Sequence, residues 1–263
     1  MKKTILLWGK SASPEMNTEL DCYLPAAQTH KSAVVIFPGG AYCCRAEHEG
    51  KGYAEFLNTH GIAAFVCQYH VYPHQFPVQL LDARRAIRYV RHYAAQFGID
   101  KEQVYVMGSS AGGHLAALVS TYYEPIPGEN ADAADQESYI PNGQILCYPV
   151  IKLLGKGVAH LDSGKNLLGD RQAAMGEELS PDLIATSQAP KAFIWHTYAD
   201  SCVSVLNSMD YAKRLWTNQV EVELHIYPHG EHGLGLAPND PHVSQWSKSL
   251  LQWLALYGQE ETS

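Results

Sequence analysis

The sequence predicts an α/β fold in which helices cover both faces of a mostly parallel β-sheet. Short apolar runs such as residues 33–37 and 62–67 alternate with longer segments of helical periodicity. These strand runs are apolar almost throughout, as expected for strands that are buried on both faces. With 263 residues, nearly half of them hydrophobic, the chain can bury a sizeable core.

Strands and helices are predicted in alternation along the chain. The predicted strands are residues 1–8, 18–24, 33–37, 62–67, 103–107, 144–148, 192–196 and 220–227. The predicted helices are residues 49–60, 78–97, 113–120, 203–216 and 240–256. The strand at 18–24 is expected to be antiparallel, at the edge of the sheet.

Two segments carry further expectations. Asp82, Arg84, Arg85 and Arg88 are expected on a solvated face of the helix at 78–97, with some ion pairs. Residues 149–187 lack clean periodicity and contain several glycines. We interpret this segment as a small cap-like insertion near the active site, within a single domain over residues 1–263.

Composition excludes several classes of partner. The formal net charge is −8 without a basic cluster, which argues against nucleic acid and anionic membranes. The two lysines near the start precede an apolar run too short for a signal peptide, so a cytoplasmic protein is expected. The six cysteines form no C-x-x-C pair, which favours free thiols over disulfides or zinc. We expect no metal.

The motif that carries chemistry is G-x-S-x-G at residues 108–112. A predicted strand precedes it and a predicted helix follows it, the context in which this turn exposes a nucleophilic serine. The alternative is a glycine-rich turn without chemistry. We predict that Ser110 is the nucleophile.

A serine nucleophile needs a base and an acid that orients the base. In this architecture the acid follows a late strand of the sheet, and the base comes after the acid along the chain and follows the last strand. Asp200 follows the strand at 192–196, although it could instead cap the next helix. His232 follows the last strand and is our predicted base, with His229 lining the site and His225 structural.

Backbone N–H groups are needed to stabilise an oxyanion. The predicted donors are Ala111, directly after the nucleophile, and the turn after residues 33–37, with Gly40 first and Gly39 and Ala41 beside it. Tyr42 is expected to shorten the acyl pocket. Ser109, Tyr42 and His229 are the predicted substrate contacts.

Together these motifs resemble the α/β-hydrolase esterase/lipase family, most closely its bacterial acetylesterase branch, which includes acetyl-xylan esterase-like enzymes. The resemblance runs over residues 18–255 and implies an eight-stranded sheet, a Ser-His-Asp triad, no cofactor and hydrolysis of short-chain acyl esters. Pro38 stands where many relatives have histidine, and Ala41 where many have a third glycine.

The expected function is a serine carboxylic-ester hydrolase for short-chain acyl esters, acetyl esters above all, that deacetylates sugars or xylo-oligosaccharides. Its expected partner is a small-molecule or oligosaccharide ester substrate. A peptidase or amidase on the same fold and a non-catalytic binding protein remain alternatives, and a homo-oligomer is left open. The insertion and the loop at 69–77 are hypothesised to form a wall for a sugar leaving group, because polar and aromatic side chains suit a carbohydrate. The side chains in question are Tyr69, Tyr72, His74, His160, Asp162 and Asn166.

Overall fold

A computed structural model describes residues 2–9, 17–127 and 132–258. The strands in these ranges are β1 (Lys2–Leu6), β2 (Glu19–Tyr23), β3 (Ala33–Phe37), β4 (Ala63–Cys67), β5 (Val104–Ser109), β6 (Gly143–Cys147), β7 (Lys191–Thr197) and β8 (Val222–Tyr227). They form one sheet in the order β1-β2-β4-β3-β5-β6-β7-β8. Only the β1–β2 and β2–β4 pairs are antiparallel. The predicted α/β class and the mostly parallel eight-stranded sheet are confirmed.

The helices of the described ranges are α1 (Glu47–Thr59), α2 (Val78–His92), α3 (Ala94–Phe97), α4 (Ser110–Val119), α5 (Leu161–Leu168), α6 (Gln172–Met175), α7 (Pro181–Ile184), α8 (Leu206–Thr217) and α9 (Gln245–Tyr257). The single helix predicted at 78–97 is therefore wrong, because the chain breaks at Tyr93 into α2 and α3. Three of the short helices, α5, α6 and α7, lie in the segment at 149–187. Its role as a cap within a single domain stays a prediction.

The predicted place of the second strand at the sheet edge is wrong. Strand β2 lies between β1 and β4, because β1 pairs along its whole length and becomes the outer strand. Residues 1, 10–16, 128–131 and 259–263 lie outside the described residues, so Met1 of the first predicted strand and parts of the predicted single domain are not covered.

Two apolar cores lie on opposite faces of the sheet. In β3, Ala33, Val35 and Phe37 face one core, and Val34 and Ile36 face the other. Helices α2, α4 and α8 pack on the first face, while α1 and α9 pack on the second. This arrangement explains why the central strands are apolar at every position.

The expectation that four charged side chains of α2 lie on a solvated face is wrong. Asp82, Arg84, Arg85 and Arg88 are at most 9% exposed. The guanidinium of Arg85 pairs with the carboxylate of Asp135 at 3.0 Å, and Arg84 donates to the carbonyl of a neighbouring loop. The arginines are buried because residues 122–127 and 132–142 fold over them, and they hold these residues through carbonyl and carboxylate groups. Asp82 instead accepts from Trp8 Nε1 at 2.8 Å and from the His70 N–H at 2.9 Å.

The topology places several loops at one edge of the sheet. Strands β3, β5, β7 and β8 run parallel, so the segments after Phe37, Ser109, Thr197 and Tyr227 emerge at the same edge. In open α/β sheets this edge is where ligand sites form. The four segments that the sequence analysis singled out are therefore neighbours in space.

Candidate active site

Ser110 lies on a tight turn between β5 and α4. Its backbone φ is +51°, a left-handed conformation that non-glycine residues rarely adopt. Gly112 is needed beside it, because a Cβ there would overlap the carbonyl group of Phe37. The turn places the Ser110 hydroxyl at the first turn of a helix, where backbone N–H groups have no partner within the helix.

The structure brings Ser110, His232 and Asp200 together. His232 Nε2 lies 2.9 Å from Ser110 Oγ, and His232 Nδ1 lies 2.6 Å from Asp200 Oδ2. The short contact with the carboxylate indicates that Nδ1 carries the proton, which leaves Nε2 as an acceptor for the serine O–H. The geometry therefore suits removal of the Ser110 proton by the imidazole.

Asp200 is held as a carboxylate by its surroundings. Burial alone would raise its pKa, but hydrogen bonds with His196 and His232 and from the Val203 N–H outweigh burial and keep the pKa well below its usual range. Its Oδ1 also accepts from the N–H of Cys202 at 2.9 Å. Because α8 begins only at Leu206, these bonds form a turn and not the helix cap that we considered.

The turn after β3 supplies backbone N–H groups, but not all of the predicted ones. The N–H of Gly39 donates to Glu49 Oε2 at 2.8 Å. It is therefore engaged inside the protein, and its predicted role as an oxyanion donor is wrong. For Gly40, Ala41 and Ala111, no described residue accepts from the backbone N–H. Gly40 and Ala41 have φ values of +131° and +51°.

Glu49 is the centre of a buried network beneath this turn. Its side chain is 4% exposed, and its Oε1 accepts from the hydroxyl of Tyr148 at 2.7 Å. The Tyr148 hydroxyl also accepts from the N–H of Gly235 at 3.0 Å, and its ring packs edge-on against His232. Through Glu49, the β3 turn is connected to the loop that carries His232.

Two predicted substrate contacts are wrong for the same reason. The side chains of Tyr42 and Ser109 are fully buried, so neither lines an open pocket. The Ser109 hydroxyl bonds to that of Tyr53 at 2.9 Å, inside the network around Tyr148. The basis for a short acyl pocket walled by Tyr42 is therefore lost.

Tyr42 instead anchors the turn to α4. Its hydroxyl lies 2.8 Å from Nδ1 of the fully buried His114, whose Nε2 lies 2.8 Å from the carbonyl of Leu179. Burial lowers the pKa of His114 to about 4, although the bond to Leu179 acts in the opposite direction. His114 is therefore neutral at pH 7, donates from Nε2 to Leu179 and accepts from Tyr42.

The two other late histidines take no part in the hydrogen bonds that join Ser110, His232 and Asp200. His229 is exposed. No hydrogen bond or ion pair within the described residues joins it to Ser110, Asp200 or His232. His225 bonds to Glu223 at 2.7 Å on β8, away from the reacting groups.

Neither a metal-ligand cluster nor a membrane-spanning helix occurs in the described ranges. In those ranges, no group of three or more His, Cys, Asp or Glu side chains is arranged to hold a metal ion. No helix there has both the length and the apolar character that crossing a membrane requires. All six cysteines are free thiols, three of them buried.

Comparisons with known proteins identify the family. The BD-FAE family model matches residues 20–215, and the chain belongs to that family. A solved acetyl ester-xyloside bifunctional hydrolase from Caldicellulosiruptor lactoaceticus is 39% identical, with a TM-score of 0.89 over 97% of this chain and 96% of the other. The resemblance to α/β-hydrolase acetylesterases is thus confirmed.

Two curated relatives are longer than this chain. Endo-1,4-beta-xylanase B of Butyrivibrio fibrisolvens is 34% identical over 87% of this chain and 36% of its own length. The acetylxylan esterase of Xylanibacter ruminicola is 30% identical over 92% of this chain and 49% of its own length. The chain therefore spans about half the length of these relatives, or less.

Sequence reasoning missed the residues that support the site. Glu49, Tyr148, Tyr53, His114 and His196 are buried polar groups that hold the reacting residues or their loops in place. Tyr148 and His196 do carry a signal, since each lies at the carboxyl end of a predicted parallel strand. Glu49 carries none, because a glutamate in the first turn of a helix is ordinary.

The Glu49 network generates a prediction about the reactivity of Ser110. Gly39 and Tyr148 donate to different oxygens of Glu49, and a glutamine there replaces one of these oxygens with an NH2 group that cannot accept. We expect Glu49→Gln to slow covalent labelling of Ser110 by a fluorophosphonate by roughly tenfold, the equivalent of one lost hydrogen bond. Intact-mass spectrometry over time measures the rate.

A matched control lies on the same helix. Glu47 is exposed and, among the described residues, pairs only with Lys51 at 3.7 Å, so Glu47→Gln should label at the wild-type rate. If Glu49→Gln keeps the wild-type circular dichroism spectrum and labels as fast as Glu47→Gln, the network does not position the site.

Proposed function

We propose that this chain is a serine ester hydrolase that removes short acyl groups, acetyl above all, from sugar esters. The observation that carries the proposal is the line of contacts from Ser110 Oγ through His232 to Asp200, at 2.9 and 2.6 Å. The names of two similar proteins, the acetylxylan esterase and the acetyl ester-xyloside hydrolase, support acetyl as the acyl group and a sugar as the alcohol of the ester. A cytoplasmic location stays a prediction.

The proposed mechanism proceeds through an acyl-enzyme. Ser110 Oγ attacks the ester carbonyl while His232 Nε2 takes the hydroxyl proton, and Asp200 stabilises the resulting imidazolium. The N–H groups of Gly40, Ala41 and Ala111 stabilise the oxyanion. His232 then protonates the leaving alcohol, and a water molecule activated by His232 hydrolyses the acyl-enzyme.

A polar cavity beside the β3 turn supports a sugar leaving group. It has a volume of about 620 Å³ and lies between the loop at 69–77 and the segment at 149–187. Asn166 also donates to the carbonyl of Ala41 at 2.8 Å, which connects the cavity to the turn. Amide, carboxylate and ammonium groups can pair with sugar hydroxyls. The lining residues are Tyr72, Gln75, Lys165, Asn166, Gly169, Asp170 and Gln172.

The sugar wall differs from the one hypothesised from the sequence. Tyr72 and Asn166 line the cavity, and Tyr72 is 57% exposed. Tyr69 is fully buried, with its hydroxyl bonded to the Pro38 carbonyl, so its predicted part in the wall is wrong. His160 lies elsewhere, with Nε2 at 3.7 Å from Cys202 Sγ beside Asp200.

An ester hydrolase and a peptidase on the same fold differ in the bond they cleave. We expect hydrolysis of p-nitrophenyl acetate but not of an aminoacyl p-nitroanilide. Ser110→Ala and His232→Ala should each lower kcat on the acetate by about ten-thousand-fold, because the three residues act as a unit. Faster cleavage of the anilide, or loss of activity in His229→Ala but not in His232→Ala, would contradict the proposal.

The sugar proposal predicts a change in substrate preference. Tyr72→Ala should lower kcat/KM for an acetylated xylo-oligosaccharide by roughly three- to tenfold, the equivalent of one lost ring contact. The value for p-nitrophenyl acetate should stay the same, because that substrate has no sugar to bind.

Tyr198 provides the matched control for Tyr72. It is 72% exposed and lines a separate cavity of about 540 Å³ beside Asp200. Tyr198→Ala should leave the ratio of the two kcat/KM values at the wild-type level. If the ratio falls in Tyr198→Ala but not in Tyr72→Ala, the sugar binds in the cavity beside Asp200 and the proposed location is wrong.

A further inference from the structure

Two adjacent thiols lie in the turn that follows β3. Cys43 and Cys44 are both exposed, and their Sγ atoms are 4.0 Å apart. Neither takes part in the proposed mechanism. Both face the carbonyl oxygen of Gly40, with Cys43 Sγ at 3.2 Å and Cys44 Sγ at 3.6 Å.

The orientation of the Gly40 carbonyl fixes the direction of the Ala41 N–H, which is one of the proposed oxyanion donors. The N–H groups of Cys43 and Cys44 also donate to it, at 2.9 and 3.1 Å. In a trans peptide the C=O of Gly40 and the N–H of Ala41 point in opposite directions. The two N–H donors, with both thiols packed on the same side of this peptide, therefore aim the Ala41 N–H to the other side.

We propose that Cys43 and Cys44 form a dithiol site for a thiophilic centre that makes two bonds to sulfur, with trivalent organic arsenic as its chemical class. An aryl arsenoxide, Ar–As=O, forms two As–S bonds as its As=O bond breaks. Both thiol hydrogens leave with the oxygen as water. The arsenic stays trivalent, so the step needs no oxidant or reductant.

The number of ligands favours this class over a metal ion. Two thiols on adjacent residues give the second As–S bond the advantage of an intramolecular reaction. Zinc needs four ligands, and the described parts of the chain offer no cluster of three. In an aryl arsenical, the aryl group already fills the third valence.

Occupation of this site disturbs the turn. The thiols lose their hydrogens, and the sulfurs, which lie 3.2 and 3.6 Å from Gly40 O, are drawn together. Cys44 packs so closely on Gly40 that a Cβ at position 40 would lie 2.8 Å from its Sγ. The plane of the Gly40–Ala41 peptide then rotates, and the Ala41 N–H no longer points toward the oxyanion. This step rests on the proposed function, in which that N–H is a donor.

The test uses phenylarsine oxide on the full, reduced protein. Native mass spectrometry should find one phenylarsenic group per chain in the wild type. Cys43→Ser and Cys44→Ser should each lose it, whereas Cys202→Ser, which removes the third exposed thiol, should retain it. An unchanged stoichiometry in Cys43→Ser or Cys44→Ser would overturn the site.

A turnover assay tests separately whether occupation of the dithiol site affects catalysis. The arsenical should lower turnover of p-nitrophenyl acetate by about 100-fold, the cost of one oxyanion donor. A dithiol should restore the activity, but the same concentration of a monothiol should not. Full activity with the arsenical bound would overturn the coupling. If the untreated enzyme lacked esterase activity, the proposed function would fail, while the mass measurement would still decide the site.

Discussion

The hydrogen bond from the Gly39 N–H to the buried Glu49 carboxylate is the constraint on which the geometry of the site depends. A buried carboxylate without partners is costly, so its acceptor oxygens demand donors. Glu49 obtains them from Gly39 in the β3 turn and from Tyr148 after β6. Movement of either segment would leave one carboxylate oxygen without its donor. The carboxylate thus holds the turn against α1 and, through Tyr148, against the loop of His232.

Backbone strain concentrates at the same edge of the sheet. Ser110, Ala41, Tyr42 and Tyr148 all have positive φ, a conformation that costs about 1–3 kcal/mol at each non-glycine residue. Each is held by its surroundings, as Tyr42 is by the neutral His114 and Tyr148 by Glu49. The packed core and the buried polar network offset this cost, and the strained residues are the ones that carry or aim reacting groups.

The sequence predicts the sheet, the helices on its two faces and the residues that meet at its edge. These predictions succeed because the periodicity of apolar residues determines which face of each strand or helix is buried. The order of the parallel strands determines which loops share an edge of the sheet, and so brings Ser110, Asp200 and His232 together. The failures concern particular partners. A pattern does not reveal that the Gly39 N–H is occupied by Glu49, that Tyr42 points inward to His114, or that a loop covers Arg84 and Arg85. These depend on contacts between segments far apart in sequence.

The central claim is that Ser110 forms a covalent acyl intermediate with His232 as its base. The most direct test is to mix the protein with p-nitrophenyl acetate, quench in acid within the first turnover and map the modified residue by peptide mass spectrometry. Our account predicts one acetyl group on Ser110 in the wild type and none at that time in His232→Ala. Rapid turnover with no acetyl group on Ser110, or with the group on another residue, would contradict it.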